Sequence, residues 1–220
     1  EMCIRDRGYL PAAVLNYLLL LGWAPEGEQE IFSLDEMIKI WDPARISKSP
    51  AIFDPLKLRA INAAYIRALP AEEFRKLADP FIDQAVHVQI DRDLLCANLQ
   101  PRCEVLEDIP PQLDFFDAVL PIDAEMYRNK KQKTTPESAK EALSALLPVL
   151  EAQTDWSRDA IFEACKQKAE AMEKKNGWLL FPLGIALSGK ARTPGGGTDL
   201  AAMMGKEETL RRLNAAIEAL

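Results

Sequence analysis

The chain has 220 residues, enough for one large or two small domains, and its 34 acidic and 27 basic residues give a net charge of −7. This balance argues against a protein that coats nucleic acid indiscriminately, because such binding depends on a general excess of Lys and Arg. The longest apolar run, Leu18 to Leu21 with its flanks, falls far short of the roughly 20 residues that a membrane-spanning helix needs.

The cysteines and the histidine do not form a pattern typical of metal or nucleophilic chemistry. His87 is the only histidine, and no CxxC spacing occurs among the four cysteines, Cys3, Cys96, Cys103 and Cys165. The sequence therefore predicts no metal site and no Cys/His or Ser/His catalytic pair. Reduced thiols are typical of the cytoplasm, which is the location we expect.

Helical patterns follow one another from Gly8 onward. Pro11 suits a first helical turn and Gly22 suits a helix end. The apolar spacing predicts that this first helix buries Leu10, Val14, Leu15, Leu18 and Leu19. Ser33 with Glu36 is the signature of a capping box, which predicts a helix over about 34–40.

Further helices are predicted over about 55–69, 71–82 and 91–100, followed by a short one from the Pro101 break to Glu107. Their inward residues are expected to be Leu58, Ile61, Tyr65, Leu69, Phe74, Leu77, Ala78, Phe81, Ile82, Leu94, Leu95 and Leu99. Thr135 and Pro136 predict another helix start, with the hydroxyl as cap and proline at the first position. That helix should bury Ala139, Leu143, Leu146, Leu147 and Leu150.

The next helix is expected from about Asp155 to the cationic run at 174–175, with Gly177 just beyond its end. The last helix should bury Leu210, Leu213, Ile217 and Leu220. No stretch has sustained period-two alternation or a hairpin signal. The predicted fold class is therefore all-α.

The stretch from Gly177 to Glu208 is the most informative about function. An apolar run leads to a basic turn and then to Thr193-Pro194-Gly195-Gly196-Gly197, where a bare backbone can lie directly against a flat ligand. A short helix over 199–204, closed by Gly205, is expected to follow. By itself, such a turn between helices is more often structural than functional.

Residues 182–213 resemble the C-terminal end of bacterial glutamyl-tRNA synthetases. They read PLGIALSGKARTPGGGTDLAAMMGKEETLRRL, and the family pattern is roughly PLRxALxGxxxTPGxxxxxxxLGKExxLxRL. Upstream, GYLPAAVLNYLLLLGW and EIFSLDEMIKIWDPARISKSPAIFDPLKLRAINAAYIR resemble the segment that follows the family's catalytic signature loop. The resemblance runs in the family's order from Gly8 to Leu220. The first seven residues, EMCIRDR, do not match the family and lack a targeting composition, which indicates a non-native junction.

The resemblance implies a helical stem-contact segment followed by two packed α-helical anticodon-binding domains. The implied boundaries are 8–69 for the end of the stem-contact region, 70–124 for the first anticodon-binding domain and 125–220 for the second. The implied partner is the glutamate-specific tRNA. We expect no membrane or DNA partner, and a monomer.

Family members activate glutamate with ATP on a domain that carries HIGH-like and KMSKS-like motifs, and neither motif is in this chain. No catalytic residue is therefore predicted, and ATP and Mg²⁺ are expected only in the catalytic domain of the parent protein. Lys48, in RISKS, superficially resembles the lysine loop, but the family's loop lies upstream of the GYLP segment. Asp54, Asp155 and Asp159 are expected to be helix caps or first-turn charges.

The resemblance also implies two anticodon contacts. Pro101 and Arg102 align with a proline–arginine pair whose arginine contacts the third anticodon base. A guanidinium can donate to the acceptors of cytosine but offers no acceptor to the donors of guanine, which fits discrimination between glutamate and glutamine anticodons. The second contact, to the first two anticodon bases, is implied for Thr193, Pro194, Gly195 and Gly196.

Several cations are candidates for contacts to the tRNA backbone, namely Lys130, Lys131, Lys133, Lys190 and Arg192. The alternative for the 130–133 cluster is a solvated loop. The chain departs from the family at Gly184, where an arginine is usual. This change removes a charged contact and places a helix-weakening residue in a helix.

Two other readings of the function remain open at this point. The chain can be a free-standing helical module that binds RNA or protein, or a paralogue that loads glutamate onto glutamine tRNA. Arg102 argues mildly against the paralogue. An upstream open frame that encodes a KMSKS-like loop would favour a ligase over the free-standing module.

Overall fold

The computed structural model describes residues 7–47 and 52–220. Lys48 and all but the last residue of the predicted junction therefore lie outside the described residues. The chain divides into two compact units, Glu1–Phe81 with Leu99–Pro110, and Ile82–Asn98 with Pro111–Leu220. Each is described by itself. The boundaries predicted at residues 69 and 124 come from the resemblance rather than from compactness, and they stay a prediction.

In its described part, the first unit contains α1 (Pro11–Gly22), α2 (Leu34–Ile40), α3 (Pro55–Ala68) and all but the last residue of α4 (Ala71–Ile82). α1 packs against α3. The buried Asn62 of α3 fastens two chain segments, because its Oδ1 accepts from Leu10 N at 2.8 Å and its Nδ2 donates to Glu104 O at 2.6 Å. A buried amide that satisfies backbone groups in this way offsets its own cost of desolvation.

The helix starts predicted in this unit are confirmed. Ser33 and Glu36 form the expected capping box at α2. Asp54 caps α3 by accepting from Leu56 N at 2.9 Å and Lys57 N at 3.2 Å. A side-chain oxygen at this position satisfies backbone donors that have no partner within the helix.

The predicted buried face of α1 is wrong in part. Leu15 and Leu18 are 45% and 54% exposed, whereas Ala13, Asn16 and Tyr17 are buried. The reason is a polar contact: Asn16 Nδ2 donates to Glu30 O at 2.7 Å, and its Oδ1 accepts from Phe32 N at 2.8 Å. Because apolar residues occur on every side of α1, apolar spacing could not identify the face that turns inward.

The second unit contains α5 (Arg92–Leu99) up to Asn98, α6 (Pro136–Ala152), α7 (Arg158–Ala171), α8 (Asn176–Ser188), α9 (Gly197–Met204) and α10 (Lys206–Ala219). Thr135 caps α6 with Pro136 at the first helical position, as predicted. The central helix, α8, buries Leu179, Leu183, Ile185 and Leu187. α6, α7, α9 and α10 all pack against it.

Three predictions of detail are wrong. α7 begins at Arg158, capped by Ser157, and ends at Ala171 rather than near Gly177, which lies in the first turn of α8. The chain reverses at Glu173, which adopts φ +54°, so the left-handed position that glycine usually fills is taken by glutamate. The short helix expected before Glu107 is replaced by two 3₁₀ turns, Gln100–Arg102 and Leu106–Asp108. Leu77, expected inward, is 39% exposed.

The all-α fold class is confirmed. The described residues form no strand, and they contain two isolated antiparallel bridges, Trp23 with Ile46 and Asn129 with Thr134. Across the same residues, no helix has the length and apolarity to cross a membrane.

Arg212 on α10 is buried, with 1% of its surface exposed. Its guanidinium donates to Leu187 O at 2.6 Å and to Phe115 O and Phe116 O at 2.7 Å. It also donates to Glu208 Oε1 at 2.5 Å. Leu187 lies in the last turn of α8, whose carbonyls have no intrahelical donor and attract a cation. Arg212 therefore joins α10, the end of α8 and the 115–116 segment.

Glu208 should make the stability of the second unit depend on acidity. Hydrogen bonds from Arg211, and next from Arg212, lower the pKa of Glu208 from 4.5 to about 2. A carboxylate with a depressed folded-state pKa contributes stability that is present above its unfolded pKa and lost as the pH falls toward the folded one. We expect the difference in unfolding free energy between the native chain and Glu208→Gln to shrink from about pH 5 to pH 2.

Urea denaturation at each pH measures this difference. The matched control is Glu163→Gln, which removes a half-exposed carboxylate from α7 that lies 3.4 Å from Lys166 Nζ. A constant offset between the native chain and Glu208→Gln over the whole range would contradict the assignment.

Candidate nucleic-acid interface

Arg102 ends the 3₁₀ turn Gln100–Arg102, which directly follows α5. The side-chain amide of Gln100 donates to Ile66 O at 3.0 Å and to Leu69 O at 2.8 Å, at the end of α3. Carbonyls at a helix C-terminus have no partners in the α-helical ladder. Ile66 O also accepts from Leu69 N at 3.2 Å, and the Gln100 amide adds one donor to Ile66 O and one to Leu69 O. We call this contact the Gln100 clamp.

The turn held by the Gln100 clamp presents its last two side chains to solvent. Pro101 and Arg102 are both exposed. Within the described residues, no hydrogen bond or ion pair holds the Arg102 guanidinium. An exposed arginine on an anchored turn keeps all of its donors available to an external acceptor.

The Thr193–Gly196 loop, in the second unit, is organised by Asp199. Asp199 Oδ2 accepts from Gly196 N at 2.7 Å, and its Oδ1 accepts from Arg158 Nε at 3.0 Å. Within the loop, Thr193 Oγ1 donates to Gly195 O at 2.6 Å. The loop is thus fixed from inside by its own hydroxyl and by a carboxylate that is only 14% exposed.

The predicted loop residues differ in accessibility. Pro194 is buried, Thr193 and Gly195 are half-buried, and Gly196 is exposed. A ligand that reached this loop would meet the Gly196 backbone first, while the ring of Pro194 is covered by the protein.

The glycines of the loop have intramolecular roles. A Cβ on Gly195 would lie 2.5 Å from Asp199 Cβ. A Cβ on Gly197 would lie 2.8 Å from Leu180 O and 3.0 Å from Gly184 N, both backbone atoms of α8. Gly197 admits only glycine because the start of α9 rests on the α8 backbone, whereas a side chain at position 195 would have to displace the side chain of Asp199.

We expect Gly197→Ala to lower the free energy of unfolding by about 1–3 kcal/mol, because its methyl group would displace backbone rather than a flexible side chain. The matched control is Gly184→Ala in the facing helix. A Cβ there would lie 3.7 Å from Gly197 N, an ordinary contact, and alanine favours the helix by up to about 1 kcal/mol. Chemical denaturation of both variants measures the contrast, and equal destabilisation would contradict it.

The cations predicted to contact tRNA fall into two groups. Lys130, Lys131 and Lys133 are exposed on a turn closed by reciprocal 3.1 Å hydrogen bonds between Asn129 and Thr134 backbones. Arg192 is exposed as well.

Lys190 has internal partners. Its Nζ donates to Pro111 O at 2.8 Å and forms an ion pair with Asp114. Its charge is therefore already partly satisfied, whereas the lysines of the 130–133 turn face solvent.

The described residues contain no group of three or more His, Cys, Asp or Glu side chains placed to hold a metal ion. Cys103 and Cys165 are buried, and burial raises the pKa of each thiol to about 12. Both thiols are therefore protonated at neutral pH, which removes the nucleophilic form. Asp54 and Asp159 have the expected cap and first-turn positions, while Asp155 accepts from Ser157 N at 2.9 Å, ahead of α7.

Sequence reasoning missed the residues that position the predicted contacts. Asp199 had a detectable signal, because it lies three residues after Gly196, the spacing of a capping interaction. Gln100 stands directly before the predicted proline–arginine pair, but its partners are more than 30 residues away. Arg158 is 41 residues from Asp199, and no local pattern joins them.

Comparison with known families gives two matches. The family model described as "Anticodon binding domain" matches residues 62–217, and that described as "tRNA synthetases class I (E and Q), catalytic domain" matches residues 1–60. The helical fold and these matches define the chain as a segment of a class I tRNA synthetase. Since the first match spans well over half of the residues, the chain belongs to the anticodon binding domain family.

The similar proteins are glutamate–tRNA ligases. Those of Clostridium botulinum (strain Hall) and Clostridium acetobutylicum are each 44% identical to this chain, over 97% and 98% of it, and the match covers 44% of each relative. A solved glutamate tRNA ligase of Elizabethkingia meningosepticum matches with a TM-score of 0.81 at 30% identity, covering 98% of this chain and 42% of that one. The resemblance inferred from sequence is confirmed, and the chain spans less than half the length of these relatives.

Proposed function

We propose that this chain is the part of a glutamate–tRNA ligase that reads the anticodon of the glutamate tRNA. The observation that carries the proposal is Arg102, an exposed guanidinium that has no partner among the described residues and lies at the end of an anchored turn. Proteins recognise single-stranded RNA loops by hydrogen bonding to the edges of splayed bases. Arg102 supplies such donors for the third anticodon base, and Pro101 shapes the turn that carries it.

The Thr193–Gly196 loop is proposed to contact the first two anticodon bases. Its most accessible part is the Gly196 backbone, which suits the flat face of a base. Asp199 and Arg158 act as positioning residues, because the Asp199 carboxylate accepts from the Gly196 amide and Arg158 pairs with that carboxylate. With Gly184 in place of the family's usual arginine, the loop backbone carries this contact without a charge from that position.

The contacts to the tRNA backbone are assigned to Lys130, Lys131, Lys133 and Arg192, all of them exposed. Lys190 can contact the tRNA backbone only if it first breaks its contacts with Asp114 and Pro111 O. Its contribution to tRNA affinity should therefore be the smallest of the five cations. Contacts between cations and phosphates weaken as salt rises, because bound counterions are released on association.

The parent reaction that we propose has two steps. Glutamate and ATP, with Mg²⁺, give glutamyl-adenylate and pyrophosphate, and the glutamyl group is then transferred to the terminal ribose of the tRNA. The chemistry of ATP and Mg²⁺ belongs to the catalytic domain of the parent. This chain carries neither nucleotide-binding signature, so alone it should bind tRNA without forming the adenylate, as a cytoplasmic monomer.

The experiment is a binding measurement at one fixed salt concentration. The chain is titrated with glutamate tRNA and with the same tRNA whose third anticodon base is changed from C to G. Weaker binding to the changed tRNA is the expected result. Equal affinity for the two would overturn anticodon reading by this chain and leave only backbone electrostatics.

A further inference from the structure

Exposed apolar side chains are concentrated in one segment of the first unit. Of the thirteen large hydrophobic side chains that are exposed in the described residues, eleven lie between residues 15 and 56. The other two are Leu77 and Val88. Single exposed apolar residues are ordinary, but a contiguous group marks an interaction surface.

Part of this segment forms a groove with a volume of about 580 Å³. We call it the α1–α2 groove, after the two helices that line it. Leu18 and Ile38, from α1 and α2 respectively, are 54% and 68% exposed. Other side chains along it include Leu15, Leu34, Trp41 and Ile46.

Contacts within the chain hold the walls of the α1–α2 groove in place. Trp23 Nε1 donates to Asp42 O at 3.0 Å, and the Arg45 guanidinium lies 5.4 Å from the centre of the Trp23 ring. A β-bridge joins Trp23 to Ile46, and the capping box fixes the start of α2. A preformed apolar site binds with little ordering cost.

The negative charge of the segment around the groove favours some classes of binding partner over others. Residues 24–47 contain six carboxylates, one lysine and one arginine, so negative charge is in excess. Surfaces that bind RNA phosphates or anionic membranes are instead rich in Lys and Arg. The groove therefore suits an apolar protein surface.

We propose that the α1–α2 groove is the docking face for the remainder of a class I (E and Q) catalytic domain. The groove falls within the 1–60 segment that matches the model of that domain, and the relatives have more than twice the length matched by this chain. The groove is apolar because its side chains belong to the core of the whole domain. Such a surface has the apolar composition of an obligate interface.

The test uses a fusion in which this chain replaces the matching part of the C. botulinum relative. Hydroxyl-radical footprinting compares Ile38 and Trp41 in the chain alone and in the fusion. We expect their oxidation rates to fall at least about threefold in the fusion, because the core of an interface is desolvated like a protein interior. Leu77, exposed outside the groove, is the internal control.

A pair of variants provides a second readout. Ile38→Lys should leave the thermal unfolding of the chain alone nearly unchanged, since the side chain is exposed, but should lower the melting temperature of the fusion. Leu77→Lys should change neither. Ile38→Lys should also leave tRNA discrimination by the chain intact, so failure of docking and failure of anticodon reading are distinguishable.

Unchanged oxidation at Ile38 in a folded fusion would overturn the proposal. It would also be overturned if the chain alone formed dimers that Ile38→Lys abolished, because the occupant would then be a second copy. If the fusion does not fold, the chain is titrated with the separately purified catalytic domain of the same relative. Absence of binding at about 100 μM would then overturn it.

Discussion

Replacing Arg212 with methionine should lower the free energy of unfolding by about 3–5 kcal/mol, the loss expected when one partner of a buried charged network is removed. Methionine matches the volume of the side chain but offers no donor. The carbonyls of Phe115, Phe116 and Leu187 would each lose a hydrogen bond in a buried site. The end of α8 would also lose the cation that faces its dipole.

The control is Arg211→Met, one position earlier on α10. Arg211 binds the same carboxylate, with Nε and Nη2 both 2.7 Å from Glu208 oxygens, but its side chain is 61% exposed. An exposed pair is worth at most about 1 kcal/mol. Urea denaturation of the two variants separates a buried network from a surface ion pair. A difference below about 1 kcal/mol between them would refute the structural role of Arg212.

Replacing Arg102 with glutamine should relax discrimination between the C-ended and G-ended anticodons by about 1–3 kcal/mol, the worth of one good base contact. Glutamine carries an acceptor as well as donors, so the donors of guanine would no longer face a group that can only donate. The measured quantity is the ratio of dissociation constants for the two tRNAs at fixed salt.

The matched control for this variant is Arg67→Gln, an exposed position in the last turn of α3. It removes the same charge and should reduce the affinity for both tRNAs by the same factor, since a backbone effect does not depend on base identity. If Arg102→Gln changed both affinities equally as well, Arg102 would be a backbone contact and the base-reading role would be wrong.

Helix ends with local chemistry were predictable from sequence. The cap and the following residues lie within one turn, so Ser33, Asp54 and Thr135 could be identified without tertiary information. The face of α1 could not, because it depends on the distant backbone groups that Asn16 satisfies. The predicted end of α7 was wrong for a similar reason, because Glu173 adopts the left-handed conformation that glycine usually adopts after a helix.

For the candidate interface, the sequence predicted which residues face the ligand but not what holds them. Pro101, Arg102 and the Thr-Pro-Gly turn came from a family pattern, and their roles stay predictions. The Gln100 clamp and the Arg158–Asp199 pair are contacts between residues far apart in the sequence. The burial of Arg212 was not predicted either, although its neighbour Leu213 was expected in the core. Hydrogen bonds from polar side chains to backbone groups far away in the sequence produce no periodic pattern from which they could be predicted.

Because of the Gln100 clamp, the affinity for tRNA and the discrimination between anticodons should respond differently to ionic strength. It is built from a neutral amide and backbone carbonyls, so salt does not screen it, in contrast to an ion pair. Raising salt should therefore weaken the hold on the tRNA backbone while Arg102 keeps its orientation. Affinity would decline with little change in the ratio between cognate and non-cognate tRNA, so the fidelity of reading would withstand changes in the ionic environment.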